Sequence, residues 1–262
     1  MKQSQEAIEQ RRRRLLSLLQ DGHNSKVLCL AEQLNVSELT IRRDLNALAE
    51  EHLIERYHGG AHIIDFSNEL HVSDKNSRFL YEKDLIGEAA AELVPNNATI
   101  FLGSGSTTLN ILKHLGNKRV TIVTNNALAP AYVDSERITL ILCGGECRIK
   151  TKSLIGHYAE DVIRSIYFDI AFLGANGISL ENGVTTEIYQ EAKIYECIVN
   201  NCTGSIILMA TSNKFGKTYS FKILDLNTLD ILITDSSVDS RTLRELGTHN
   251  IRTLIADQNI KK

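Results

Sequence analysis

The sequence predicts an α/β protein in two parts, an N-terminal winged helix-turn-helix followed by a domain built on a largely parallel β-sheet. Three observations carry this. Residues 34–48 end one apolar-periodic segment at Leu34, turn at Asn35-Val36 and restart at Ser37 as a second. His58-Gly59-Gly60 then stands between two alternating segments, the mark of a tight hairpin. From Thr99 onward, short apolar runs alternate with helix-like segments, as strands buried on both faces require.

Gln5 to Gln20 reads as the first helix, with Ile8, Leu15, Leu16, Leu18 and Leu19 on its apolar face and Asp21-Gly22 as its stop. Within it, Arg11-Arg12-Arg13-Arg14 has two readings, a solvated face or a set of phosphate contacts; both can hold, because successive helical residues point in different directions. Ser25 is the expected cap of a short helix running to Leu34. The next helix has Ser37 as N-cap, an inward stripe of Leu39, Ile41, Leu45 and Leu48, and a polar face of Glu38, Thr40, Arg42, Arg43 and Asn46. Two arginines in the first turns beside short polar side chains suit a helix in a DNA major groove. The candidate DNA contacts are Lys26, Ser37, Leu39, Thr40, Arg42 and Arg43, with Arg56 and His58 on the wing. Periodicity alone serves equally well for an amphipathic helix pair inside an ordinary domain.

The stretch Asp65 to Lys83 is polar and weakly periodic, and runs into a helix ending near Leu93. The expected division is a DNA-binding domain at 1–64, a linker at 65–79 and a second domain at 80–262. In the latter, Thr99–Leu102, Thr121–Val123, Thr139–Leu142, Asp169–Leu173, Ser205–Met209 and Asp230–Ile233 read as strands. Helix-like segments Thr107–Leu115, Tyr158–Ile166 and Glu187–Asn201 lie between them.

Such sheets bind ligands beyond the carboxyl ends of their strands, and the polar residues of this sequence gather there. After the first strand comes Gly103-Ser104-Gly105-Ser106-Thr107-Thr108, where glycines admit an anion, hydroxyls donate and a helix N-terminus adds positive potential. It is not a Walker loop, since no Gly-Lys-Ser/Thr follows. Thr124 and Asn125, then Gly144, Gly145 and Arg148, then Asn176, then Glu191 and Lys214 complete the candidate ligand set. Common strand-helix turns explain the same residues without a ligand, and Arg148 and Lys214 also read as solvated charges.

Net charge is −3, and residues 1–64 hold nine Lys/Arg against nine Asp/Glu, so any DNA affinity rests on where charge sits rather than on its amount. No apolar run is long enough to span a membrane, and the expectation is a cytoplasmic protein. Five cysteines fit reduced thiols; neither Cys143…Cys147 nor Cys197…Cys202 has a zinc spacing, so neither a metal nor a cofactor is expected.

Thr40-Ile41-Arg42-Arg43-Asp44-Leu45 followed by His58-Gly59-Gly60-Ala61 resembles the DNA-binding signature of the DeoR family of bacterial sugar-metabolism repressors. The resemblance extends along nearly the whole chain, through Ser104–Thr108, Thr124-Asn125, Gly144-Gly145, Gly174-Ala175-Asn176-Gly177, Thr185-Thr186, Glu191-Ala192 and Lys214-Phe215-Gly216. It implies a sensor domain similar in fold to ribose-5-phosphate isomerase, and a phosphorylated sugar as inducer. Gly103 and Thr211 stand where the family commonly has Asp, which leaves the identity of the ligand open, and Lys75 stands where it usually has Arg, which implies a different linker contact to the sensor.

The isomerases carry Asp-Gly-Ala-Asp where this chain has Leu173-Gly174-Ala175-Asn176, and their catalytic lysine falls at Asn182. Glu191 alone is retained, and one carboxylate without partners is a poor acid–base apparatus, so no catalytic residue is expected. The expectation is a transcriptional repressor of a sugar-utilisation operon, a homo-oligomer (dimer or tetramer) that binds operator DNA and is released by a phosphorylated sugar. The competing readings are a sugar-phosphate isomerase-like enzyme with an appended DNA-binding module, and a DNA-binding protein whose second domain only oligomerises.

Overall fold

The computed structural model describes residues 5–20, 26–50, 54–57, 60–63, 79–249 and 251–257. The expected helix stop at Asp21-Gly22, the Ser25 cap, His58-Gly59 in the wing, and the linker through Lys75 lie outside the described residues. The chain divides into two units, Met1–Arg78 and Phe79–Lys262.

In the first unit, α1 (Gln5–Gln20), α2 (Val27–Gln33) and α3 (Glu38–Glu50) precede a hairpin of β1 (Ile54–Tyr57) and β2 (Gly60–Ile63). Tyr57 lies opposite Gly60, so the two strands are antiparallel and joined by two residues. Leu15, Leu19, Val27, Leu30, Ile41, Leu45, Leu48, Ile54 and Ala61 bury their side chains in one core. The turn between α2 and α3 closes through Asn35, at φ 51°, a left-handed conformation that asparagine tolerates. The Asn35 N–H donates to Glu32 at 3.2 Å and the Val36 N–H to Ala31 at 3.0 Å, a paired arrangement that satisfies the last carbonyls of α2. Leu39 departs from expectation. It is 60% exposed, because two residues before Ile41 is about 200° around the helix from the buried stripe.

The second unit is organised by a seven-stranded parallel sheet. Its strands are β3 (Thr99–Leu102), β4 (Val120–Thr124), β5 (Ile138–Leu142), β8 (Phe168–Leu173), β11 (Cys202–Met209), β13 (Ile231–Asp235) and β14 (Arg252–Ala256), in the order β14-β13-β11-β8-β3-β4-β5. Residues alternate between two cores. Phe101, Val123, Ala171, Leu173 and Leu208 face one side, packed with Ile163 of α6 (His157–Arg164) and Ile194 and Ile198 of α7 (Tyr189–Asn201). Ile100, Leu102, Ile122, Phe172 and Met209 face the other, packed with Ile86 and Ala90 of α4 (Leu80–Glu92) and with Leu109 and Ile111. Full burial of each such side chain contributes roughly 1.5–3 kcal/mol.

Smaller elements close the carboxyl edge: a hairpin of β6 (Glu146–Arg148) and β7 (Ser153–Ile155), and an antiparallel sheet β12-β10-β9 of Phe221–Leu224, Gly183–Thr186 and Gly177–Ser179. The helix expected over Thr107–Leu115 is one α turn, α5 (Ser106–Leu109), continued as a tighter 3-10 helix over Asn110–His114. The last described helix, α8 (Ser240–Gly247), is capped by Asp239, whose carboxylate accepts from the Arg241 and Thr242 N–H groups.

Candidate functional site

The helix-turn-helix presents α3 with its polar face open. Ser37 caps it as its position predicts: Oγ accepts from the Thr40 N–H at 3.2 Å and shares a hydrogen bond with the Thr40 hydroxyl at 2.8 Å. Ser37, Leu39, Arg42 and Arg43 are exposed and Thr40 is half-buried. Arg42 reaches back to Glu38 at 3.4 Å, an exposed pair one turn apart that holds the guanidinium only weakly. Lys26, also exposed, forms a bridge with Gly60, so the start of α2 is tied to the wing. Arg56 lies in β1 opposite Ala61, and His58 is outside the described residues.

The arginine run of α1 divides in a way neither sequence reading foresaw. Arg11 Nε sits 2.6 Å from Asp44 of α3, Arg12 Nε 3.3 Å from the same carboxylate, and the Asp44 side chain is 4% exposed. These two guanidiniums bind the helices together, whereas Arg14 faces solvent. Asp44 missed the sequence-derived list because a charged residue at that spacing reads as solvated.

In the second unit the strand order reverses between β3 and β8, and a crevice opens at such a reversal. The turn Gly103–Ser106 leaves β3 there, and the turn after β8 approaches it so closely that a Cβ on Gly105 would stand 3.7 Å from the Gly174 Cα. Gly105 is the N-cap of α5 and has no side chain to cap it, so the first-turn N–H groups are not capped from that position. Ser104, Gly105 and Ser106 are half-exposed. Thr107 and Thr108 are buried, and the Thr108 hydroxyl donates within the turn, at 2.6 Å to Gly103 and 2.8 Å to Gly105.

Thr124 likewise spends its hydroxyl on the scaffold. It donates to the Leu102 carbonyl at 2.6 Å and accepts from the Asn126 N–H at 3.1 Å. Asn126, which sequence reasoning left aside, donates to the Ser104 carbonyl at 3.2 Å and so holds the turn. Asn125 is 1% exposed and donates to the Leu154 carbonyl at 3.3 Å.

Glu191 enters from the first turn of α7, buried, and accepts from Ser153 at 3.2 Å and Thr186 at 3.1 Å. One turn further along α7, the Tyr195 hydroxyl lies under the glycine turns and accepts a hydrogen bond from the Gly174 N–H. Burial raises this phenol's pKa, the Glu191 carboxylate adds to the rise, and the Gly174 bond offsets part of it. Ser153, Thr186 and Tyr195, like Asn126, are site-forming residues absent from the sequence-derived candidates. Thr186 belongs to the Thr185-Thr186 pair that the family resemblance includes, and the four-residue spacing of Glu191 and Tyr195 on one helix is a signal for the tyrosine.

The remaining candidates sit further round the edge. Gly144 and Gly145 are exposed at φ 71° and 91°, and a Cβ on Gly145 would fall within 2.4 Å of the Ile155 carbonyl, so that glycine is required by the β6–β7 hairpin. Arg148 ends β6, half-exposed, and its carbonyl accepts from the Lys152 N–H at 2.7 Å. Lys214 follows β11 in a 3-10 turn, brought beside the post-β8 segment by the Phe215–Ile178 bridge. Asn176 is half-exposed in the β8–β9 connection.

For proton-transfer chemistry the edge is poorly furnished: Leu173 is fully buried, and Asn182 donates to the Thr218 hydroxyl at 3.3 Å in an exposed hairpin. Among the described residues no group of three or more His, Cys, Asp or Glu could hold a metal, and no helix is long and apolar enough to cross a membrane. The five cysteines are free, and burial holds the Cys143 thiol up at about 12, far from nucleophilic thiolate chemistry.

An exposed recognition helix with a wing, joined in one chain to an α/β domain, is the make-up of a DNA-binding transcription regulator. Residues 11–66 match the DeoR-like helix-turn-helix domain and residues 79–236 the DeoR C-terminal sensor domain. The chain belongs to the DeoR family. It is 32% identical over 226 residues to the glycerol-3-phosphate regulon repressor of Escherichia coli K12, covering 85% of this chain and 89% of that protein. It is 33% identical over 240 residues to the lactose phosphotransferase system repressor of Streptococcus mutans, covering 89% and 94%. A solved ribose 5-phosphate isomerase A from Methanocaldococcus jannaschii is 18% identical at a TM-score of 0.37, covering 51% of this chain and 53% of that one. That likeness is too slight to carry shared chemistry.

Proposed function

We propose that this protein represses a sugar-utilisation operon and leaves its operator when a phosphorylated sugar binds at the carboxyl edge of the sensor sheet. One observation carries the effector half: the glycine turn after β3 lies at the strand-order reversal, against Gly174, with a helix start behind it that its N-cap residue does not cap. A dianion is best met by such convergent N–H groups. In this reading Ser104, Gly105, Ser106 and Thr107 hold the phosphate, Thr108 and Thr124 shape the turn, and Lys214 and Arg148 supply positive charge. Asn125, Asn176 and Glu191 meet the sugar. The names of the glycerol-3-phosphate and lactose repressors support a sugar operon as the target.

On the DNA side, Arg42 and Arg43 read bases or phosphates from α3, and Lys26, Arg56 and His58 anchor the wing. One recognition helix per chain favours a homo-oligomer on a two-fold operator, working in the cytoplasm where the DNA is. The test is a titration of the protein on its own upstream DNA with phosphorylated and free sugars. Release by a phosphorylated sugar and not by its free form supports the proposal; release by neither, or by both alike, contradicts it.

A further inference from the structure

Asn125 directly follows β4, with its side chain almost wholly buried. Its Nδ2 donates to the Leu154 carbonyl at 3.3 Å, while its backbone carbonyl accepts from the Leu154 N–H at 2.7 Å. Its Oδ1 has no hydrogen-bond partner among the described residues. Turning the amide over does not cure this. It would set Oδ1 against the Leu154 carbonyl, acceptor on acceptor, and leave Nδ2 without its bond. The unmet group is therefore an acceptor on chemical grounds. A buried acceptor without a donor weakens a fold, and such a group calls for an explanation.

Its neighbours define what it can meet. One residue on, Asn126 holds the Ser104 carbonyl of the glycine turn and bridges to Ser153, and Ser153 donates to Glu191. Asn125 thus belongs to the stretch that connects the proposed phosphate turn to the buried carboxylate. A phosphate-ester dianion brings only acceptors and cannot satisfy Oδ1, whereas a hydroxyl on the carbon skeleton can.

We infer that Asn125 Oδ1 is the specificity-determining acceptor of the effector site. It takes a hydrogen bond from a ligand hydroxyl and makes the protein choose polyhydroxylated phosphate esters over alkyl phosphates. This rests on the proposed effector site and adds to it a rule for which phosphate esters act. Any ester lacking a hydroxyl leaves Oδ1 buried and unmet, so it binds through its phosphate alone.

The test uses the full chain and calorimetric titration with propyl phosphate, glycerol 3-phosphate, and the 5- and 6-phosphates of common aldoses and ketoses. The wild type is expected to bind at least one hydroxylated ester about tenfold more tightly than propyl phosphate. Asn125→Leu is expected to lose most of that preference, binding hydroxylated esters within about threefold of propyl phosphate, because only the contacts of Asn176 and Glu191 remain. Asn125→Ala, a smaller replacement, serves if the leucine variant does not fold. A preference kept intact in a folded variant overturns the inference while leaving the phosphate turn standing, as does a wild type that binds hydroxylated esters and propyl phosphate alike. A wild type that binds no phosphate ester overturns the effector site itself, and this inference with it.

Discussion

Arg11 of the first helix closes on Asp44 of the recognition helix as a two-pronged clamp, Nε at 2.6 Å from one carboxylate oxygen and the terminal amine at 3.3 Å from the other. The Arg11 side chain is 11% exposed and that of Asp44 4%, so water competes little for either partner. Breaking a buried pair by removing one member takes from the other its closest counter-charge, at a cost of up to about 3–5 kcal/mol. Asp44→Ala is accordingly expected to destabilise the DNA-binding unit by about that much and to leave the sensor fold intact. Urea unfolding followed by circular dichroism checks this, and a loss under about 1 kcal/mol would mean that the clamp is incidental.

Arg42 and Arg43 lie on the open face of the same helix, and their loss should act on DNA rather than on folding. Each alanine substitution is expected to weaken operator binding by about 1–3 kcal/mol where a base contact is lost. Where a phosphate contact is lost, binding to all sequences should weaken alike. Gel shifts at fixed salt, on operator and scrambled DNA, separate the two. Unchanged affinity in both variants would remove α3 from the major groove.

Alkaline pH should loosen the sensor through Cys143. Its thiol is buried and its pKa is raised from 9.0 to about 12. The folded state thus keeps a proton that the unfolded chain releases, and the associated stability is complete below pH 9 and is lost as pH rises from 9 towards 12. Urea midpoints across that window, with reductant present, should fall more steeply for the wild type than for Cys143→Ala. Parallel curves for the two proteins would show that the thiol does not couple to folding.

Much of this architecture is legible in the residues. The periodicity of Gln5–Gln20 defines α1, and Ser37 marks its helix because a hydroxyl ahead of an apolar stripe has one obvious use. Runs such as Phe168–Leu173 leave little choice but a buried strand. What stayed hidden depends on contacts distant in sequence. Nothing in an arginine run tells which member turns inward, since Arg11 needs Asp44, 33 residues away, to do so. Gly177–Ser179 and Gly183–Thr186 are too short and polar to read as strands until they pair with each other. Arg252–Ala256 begins with a charge, which an edge strand tolerates and a run of apolar residues does not advertise. Thr108 and Thr124 look like ligand donors by type, yet the carbonyls beside them claim their hydroxyls first.

The glycine turn admits the sharpest single change. A Cβ at Gly105 would meet Thr108 Oγ1 at 3.5 Å and Gly174 Cα at 3.7 Å, ordinary contact distances, so an added side chain does not by itself break the fold. Gly105→Asp places a carboxylate where the phosphate is proposed to approach, and like charges at that range repel. The deciding measurement is fluorescence anisotropy of labelled operator DNA with the wild type and with Gly105→Asp, each titrated with phosphorylated sugars. The expected result is that both proteins bind the operator equally well, that a phosphorylated sugar releases the wild type, and that no phosphorylated sugar releases the variant. Release of Gly105→Asp at the same concentrations as the wild type would contradict the account, because the effector's phosphate would then have to bind somewhere other than this turn.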